Sequence, residues 1–294
     1  MFSKAIEKVE KFIRPVVVCK RHYDGTIETC GGTLVVINKD GWFVSTAHVF
    51  EVIPLFNKHT REMAELEAKV RQLGLDDSRE ARRELKRLRP NPKWITASSI
   101  WPGADNQEIQ DIGVIPEADL LVARLSPFDP AAVAGYPSFK NPAGETLRIG
   151  TSLCKIGYAF TEIEAGFDPA TKKFDLDFKN LVPFPLDGIY TRNILFKTNG
   201  AGGAGTETKI QPKFIETSSP GLKGHSGGPV FDTEGRVWGI QSKTAHIPLG
   251  FNPVVEKDGK KVEENQFLNV SWAIHPEVIA AFLKEKGIEF SMTE

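Results

Sequence analysis

Gly224-His225-Ser226-Gly227-Gly228-Pro229 is the stretch on which the reading of this chain turns. Three glycines and a proline crowd one serine into a turn that an ordinary strand or helix would not choose. Glycine reaches positive φ and lets a second backbone approach closely. A serine hydroxyl is a weak nucleophile until a base takes its proton and backbone N–H groups stabilise the oxyanion that forms. In a turn of this kind the Gly224 and Ser226 amides can point at one spot beside Ser226 Oγ. The alternative is a glycine-rich surface turn, so the rest of the chain has to decide.

The 294 residues give room for one large domain or two small ones. A hydrophobic content of 40% and a charged content of 26% are ordinary for a globular protein. The net charge of −1 offers no electrostatic reason for a nucleic-acid or membrane partner. No apolar run approaches the roughly 20 residues that span a bilayer. Met1 to Lys8 alternates apolar and charged residues and lacks the core of a signal peptide. Cys19, Cys30 and Cys154 are odd in number and widely spaced, so no disulfide framework is expected. A cytoplasmic protein with reduced thiols follows as the expectation.

Phe2, Ile6, Val9, Phe12 and Ile13 share a helical face, which predicts an N-terminal helix over 3–13, capped by Ser3 and stopped by Pro15. Val16 to Cys19 reads as a buried strand. Thr29 to Ile37, a turn at Asn38-Lys39-Asp40-Gly41, and Trp42 to His48 form a hairpin pattern. Within 57–90 the period changes to helical: Met63, Leu66, Val70 and Leu73, a break at Gly74, then Ala81, Leu85 and Leu88. Asp77 or Ser78 would cap the second helix. This charged helical hairpin either packs its apolar face on the domain or serves as an arm for a regulatory partner.

Asp119 stands at the mouth of an apolar strand, Leu120 to Leu125, and Asp111 is a weaker version of the same arrangement. Pro127, Pro130, Pro137 and Pro142 mark a linker between two lobes. Thr151 to Tyr158 opens the second lobe as a strand. Residues 161–187 read as an extended loop, Thr191 to Lys197 as a strand, Asn199 to Gly205 as a loop, and 248–266 as an insertion. Strands at Gly228 to Phe231, Val237 to Lys243 and Phe267 to Ile274 precede a closing helix from Pro276, with Val278, Ile279, Phe282 and Leu283 inside. The domains are then 1–14, an N-terminal helix; 15–130, a first lobe carrying the 57–90 insertion; and 131–294, a second lobe with the C-terminal helix.

His48, Asp119 and Ser226 stand in that order, each in its own local string. The arrangement resembles the trypsin-like (chymotrypsin-fold) serine peptidases, in particular their disulfide-poor bacterial branch. Cys30-Gly31-Gly32-Thr33-Leu34 and Thr46-Ala47-His48 are similar to the family's strand and histidine motifs. Asp119 to Leu125 looks like its aspartate strand, and Gly224 to Pro229 like its serine turn. His48 and Asp119 lie 71 positions apart, long for the family, and the helical insertion accounts for the surplus. The resemblance implies a mostly β fold of two six-stranded barrels, with the site in the cleft between them. It implies His48 as base, Asp119 as its orienter, Ser226 as nucleophile and the Gly224 and Ser226 amides as the oxyanion hole. Ser242 matches the hydroxyl that supports the aspartate. No cofactor or metal is implied.

The departures matter too. Val49 follows His48 where a cysteine partner for Cys30 is expected. His225 stands before the serine in place of the aspartate that pairs with a newly cut N-terminus, and the chain begins with Met1, so activation by clipping is not expected. Pro220 takes the base of the substrate pocket, where a basic specificity would need a carboxylate. Gly221, Leu222, Gln241 and Lys243 would form its walls. Gln241 and Lys243 hint at a polar or acidic side chain, unless Lys243 points to solvent. The function expected is a serine endopeptidase acting on a protein or peptide. A catalytically silent binding module of the same fold and a partner-activated effector protease are the alternatives. The serine turn lacks the Gly-x-Ser-x-Gly pattern and chain order of an α/β-hydrolase esterase.

Overall fold

The computed structural model describes residues 1–141, 144, 146–196 and 210–293. Helix α1 (Ser3–Val9) leads into a first lobe made of β1 (Ile13–His22), β2 (Ile27–Val36), β3 (Trp42–Thr46), β4 (Ile95–Trp101), β5 (Glu108–Ile115) and β6 (Leu120–Ser126). These strands pair antiparallel in the order β4-β1-β2-β3-β6-β5. Their apolar runs are continuous because both faces are covered. Val16, Val18, Leu34, Val36, Phe43 and Leu121 fill the interior of the lobe. The intervening Ile13, Val35, Ile37, Val44, Leu120 and Val122 join the core shared with the second lobe and the last helix.

The second lobe comprises β7 (Ser138–Phe139), β8 (Ser152–Gly157), β9 (Glu162–Asp168), β10 (Lys173–Lys179), β11 (Phe184–Leu195), β12 (Lys213–Thr217), β13 (Pro229–Phe231), β14 (Val237–Pro248), β15 (Val254–Lys257), β16 (Lys260–Glu263), β17 (Phe267–Ile274) and β18 (Ser291–Met292). Six of them close a ring, β13-β8-β11-β12-β17-β14, with β14 pairing back to β13. The short strands β7 and β18 extend the edge at β14 in parallel. The result is the mostly β, two-lobed chymotrypsin-like fold.

Helix α1 is shorter than its periodicity predicts. It ends at Val9, its N-cap is Phe2 with no side-chain cap bond, and Phe12 and Ile13 already run into β1. Pro15 does not stop the helix but lies inside β1. It pairs with Thr33 of β2, whereas pairing to β4 begins only at Val17, so the missing N–H falls where β1 has one neighbour.

Two segments expected to be irregular are hairpins. Strands β9 and β10 pair antiparallel, with Ile163, Ala165 and Phe167 facing Phe174, Leu176 and Phe178 while the charged residues between them are exposed. Strands β15 and β16 pair around Asp258-Gly259, both at positive φ, the signature of a type I′ turn. Pro142 and residues 197–209, including the glycine-rich run, lie outside the described residues.

The helical arm is α2 (Val52–Gly74) and α3 (Arg79–Leu85), beginning five residues before the predicted boundary. Ser78 Oγ caps α3 by accepting from Ala81 N at 3.1 Å. The arm is bound to β4: Trp94 Nε1 donates to Glu62 Oε2 at 2.7 Å, and Ile95 N donates to His59 Nδ1 at 3.0 Å. Helix α4 (Pro276–Glu285) closes the chain with Val278, Ile279, Phe282 and Leu283 buried, as the period predicts.

Candidate active site

Strands β3 and β6 are neighbours in register, Thr46 opposite Leu120. The residues just beyond these ends therefore meet: His48 in a one-turn 3-10 helix after β3, and Asp119 immediately before β6. Asp119 sits in the left-handed region at φ 55, which Asp tolerates better than most side chains. Its carbonyl accepts from Ala47 N at 3.0 Å and its Oδ1 from His48 N at 2.9 Å. The remaining oxygen, Oδ2, lies 2.8 Å from His48 Nδ1 and accepts from Ser242 Oγ at 2.6 Å. Ser242 is the extra residue of a bulge in β14, between the pairs Gln241–Ala273 and Lys243–Trp272. The bulge turns its hydroxyl towards the other lobe.

Burial alone would push the Asp119 carboxyl up. The hydrogen bonds it accepts from His48 and Ser242, with the His48 charge beside it, outweigh that and hold it below the ordinary carboxylate value.

Ser226 comes from the second lobe, in the turn between β12 and β13, and its Oγ lies 3.0 Å from His48 Nε2. The turn is held across the lobe boundary by Thr33, a fully buried residue of β2. Thr33 N donates to Ser226 O at 2.8 Å and Thr33 Oγ1 to Gly224 O at 2.7 Å. Ser45 Oγ donates to Thr33 O at 2.7 Å. Glycine is required on both sides of the serine. At Gly224, φ 95, a Cβ would land on the Tyr158 carbonyl; at Gly227, φ 86, it would land on the Thr33 carbonyl and the Ser45 hydroxyl. Among the described residues no hydrogen bond takes up the Gly224 or Ser226 N–H, so both amides remain open beside Ser226 Oγ.

His225 explains how the turn keeps its shape without the missing aspartate. Its Nε2 donates to Phe184 O at 2.9 Å, and its Nδ1 accepts from Leu222 N at 3.4 Å. Burial lowers its pKa to about 4, so the ring is neutral and can accept at Nδ1. His275, the N-cap of α4, is likewise lowered to about 4 by burial and accepts from Glu277 N at 3.2 Å. Both histidines bind protons more weakly folded than at the ordinary value of 6.5. The unfolded chain therefore takes up the extra protons between pH 6.5 and 4, and stability falls as pH falls through that window. The loss expected is about 3 kcal/mol per histidine. Urea unfolding at pH 7 and at pH 4.5 measures it. His225→Gln, which can keep both bonds, should halve the slope.

The residues predicted to form the substrate pocket have distinct neighbours. Lys243 Nζ lies 5.1 to 5.5 Å from the ring centres of Phe196, Phe214 and Trp272. The bulge at Ser242 shifts the in–out alternation of β14. Leu222 lines a cavity that also reaches Ser226, described below. Pro220 lies over Lys155, a buried lysine whose Nζ donates to Thr217 Oγ1, Ser219 O, Ser219 Oγ and Pro220 O at 2.7 to 3.3 Å. Burial pushes this ammonium down to about 7.

Gly221 and Gln241 do meet, and Thr244 closes the gap between them. Thr244 Oγ1 accepts from Gly221 N at 2.9 Å and donates to Gly221 O at 2.7 Å, while the Gln241 amide occupies the place of a Gly221 side chain. Lys155 and Thr244 carry no motif of their own, and Thr33 stands in the Cys30 to Leu34 string without its link to the serine turn being marked there. The one sequence signal is a small polar or charged residue inside an otherwise apolar strand. Asp111 lies in a bulge of β5, paired to Arg124 at 2.8 Å, and takes no part in the site.

A family model described as the trypsin-like peptidase domain matches residues 32–240, which contain His48, Asp119 and Ser226. No curated protein matches the chain. Among solved structures, the chain is similar to the HtrA-type protease AlgW with a tripeptide, at 15% identity and a TM-score of 0.50. The match covers 98% of this chain and 64% of that one, so the chain spans under two thirds of that structure and shares its fold. The active form of the Rv3671c protease from M. tuberculosis aligns at 13% identity and a TM-score of 0.47, over 98% of this chain and 86% of that one.

Proposed function

The chain belongs to the trypsin-like peptidase domain family, and from that premise we propose that it is a serine endopeptidase that cuts a protein substrate through an acyl-enzyme on Ser226. The observation that carries the reading is the unbroken line from Asp119 Oδ2 through His48 to Ser226 Oγ, at 2.8 and 3.0 Å, beside two open amides. Ser226 Oγ attacks the scissile carbonyl as its proton passes to His48 Nε2. The Gly224 and Ser226 N–H groups receive the oxyanion, where one such donor contributes about 3–4 kcal/mol. His48 then gives the proton to the leaving amine, and a water repeats the steps to release the acyl group. Asp119 stays ionised, holds the imidazole by Nδ1–H and stabilises its charged form.

The side chain preceding the scissile bond would enter between Gly221 and the 241–244 segment. Thr244 and Gln241 fill that slot, and the Lys243 ammonium is engaged by three aromatic rings, which withdraws the cation that an acidic preference needs. The expected preference is a small uncharged residue. Thr244→Gly should open the slot and raise kcat/KM for Leu or Phe at that position about 10- to 100-fold relative to Ala. Profiling of a mixed peptide library tests both points: internal cuts after small residues support the reading, and failure to cut any peptide contradicts it.

A further inference from the structure

We propose that the leaving-group side of the cleft is the main specificity site, built to take a large apolar side chain within the first two residues after the scissile bond. The inference rests on the endopeptidase reading. A cavity of about 650 Å³ opens beside Ser226 and His48 and is walled by Cys30, Tyr158, Phe160, Ile163, Leu222 and Lys223. His48, which gives the proton to the leaving amine, stands in the wall of this cavity with Gly224 and Ser226, whereas Gly221, Gln241 and Thr244 do not. The segment carried by that amine therefore runs into the cavity.

The wall is preformed. It begins where the β9–β10 hairpin leaves the second lobe and crosses to the first. Phe178 packs on Trp101 with ring centres 4.7 Å apart, and the Arg21 guanidinium lies 5.1 Å over Phe167. Gly31 makes room for Ile163, whose Cδ1 is 3.4 Å from where a Gly31 Cβ would stand. Phe160 is held at φ 59, a left-handed conformation that a bulky side chain rarely takes, with its ring 65% exposed and edge-on to Phe184. That ring is uncovered apolar surface at the mouth of the cavity, and a substrate side chain would cover it. Among the described lining residues there is no carboxylate, and Lys223 is the one lysine or arginine, so acidic side chains of the enzyme do not compete for the space.

The test uses internally quenched peptides identical up to the scissile bond and differing after it: Gly-Gly, Leu-Gly, Gly-Leu, Phe-Gly and Asp-Gly. A nitrophenyl ester of the same acyl part, which carries no residue beyond the bond, serves as reference. The wild type should prefer the best Leu or Phe peptide over Gly-Gly by about 10- to 100-fold in kcat/KM. Phe160→Ala and Ile163→Ala together should reduce that preference to about threefold while leaving ester hydrolysis unchanged. Ester hydrolysis with no preference among the peptides, or a preference untouched by the double variant, overturns the inference alone. No reaction with ester or peptide overturns the endopeptidase reading and this inference with it.

Discussion

Replacing Ser226 by alanine is expected to lower peptide turnover by about 10⁶-fold while leaving the fold intact. The hydroxyl is the group that becomes covalently bound, so neither His48 nor the open amides can substitute for it. What remains is the stabilisation that the amides and substrate positioning give to attack by water. The structural cost is small, because among the described residues Ser226 Oγ makes only the contact with His48 Nε2 and a long bond of 3.4 Å to Ser242 O. Stability in urea should therefore change by no more than about 1 kcal/mol. Turnover within tenfold of wild type would remove Ser226 from the chemistry.

Asp119→Asn is the second large effect, expected to reduce kcat about 10⁴-fold. An amide at Oδ2 can present N–H to His48 Nδ1, which forces the proton to Nε2 and leaves no lone pair for the Ser226 hydroxyl. The same change removes an anion that accepts from His48 N, His48 Nδ1 and Ser242 Oγ. Ser242→Ala deletes only one of those bonds and should cost far less, on the order of tenfold, since the carboxylate keeps both bonds from His48. Comparing the two by steady-state kinetics at constant pH separates charge from support. Equal losses for both would contradict the role given to the carboxylate.

The two-lobed β fold and the meeting of His48, Asp119 and Ser226 were legible because each depends on local strings in chain order. The runs Val16 to Cys19, Leu34 to Ile37 and Leu120 to Ala123 are apolar at every position, and strands covered on both faces are. The β9–β10 hairpin was missed although Ile163 to Phe167 and Phe174 to Phe178 alternate cleanly. The charged half of that alternation resembles a loop when the partner strand is unknown. Asp258-Gly259 was a readable turn that the charged surroundings obscured. The direction of Lys243 could not be read at all. A bulge at Ser242 inserts one residue into β14 and reverses the alternation beyond it, and a bulge is set by the partner strand. Thr244 and Lys155 act through residues far away in sequence, so their roles appear only when the 219–222 segment is seen beside them.

A site that stands assembled in the folded chain leaves Ser226 open to acylation. The chain is treated with a fluorophosphonate probe at neutral pH, digested, and the adduct mapped by mass spectrometry. One adduct per chain is expected, on the peptide holding Ser226, absent in Ser226→Ala and formed far more slowly in Asp119→Asn. An unlabelled chain, or a label on another serine, would contradict it.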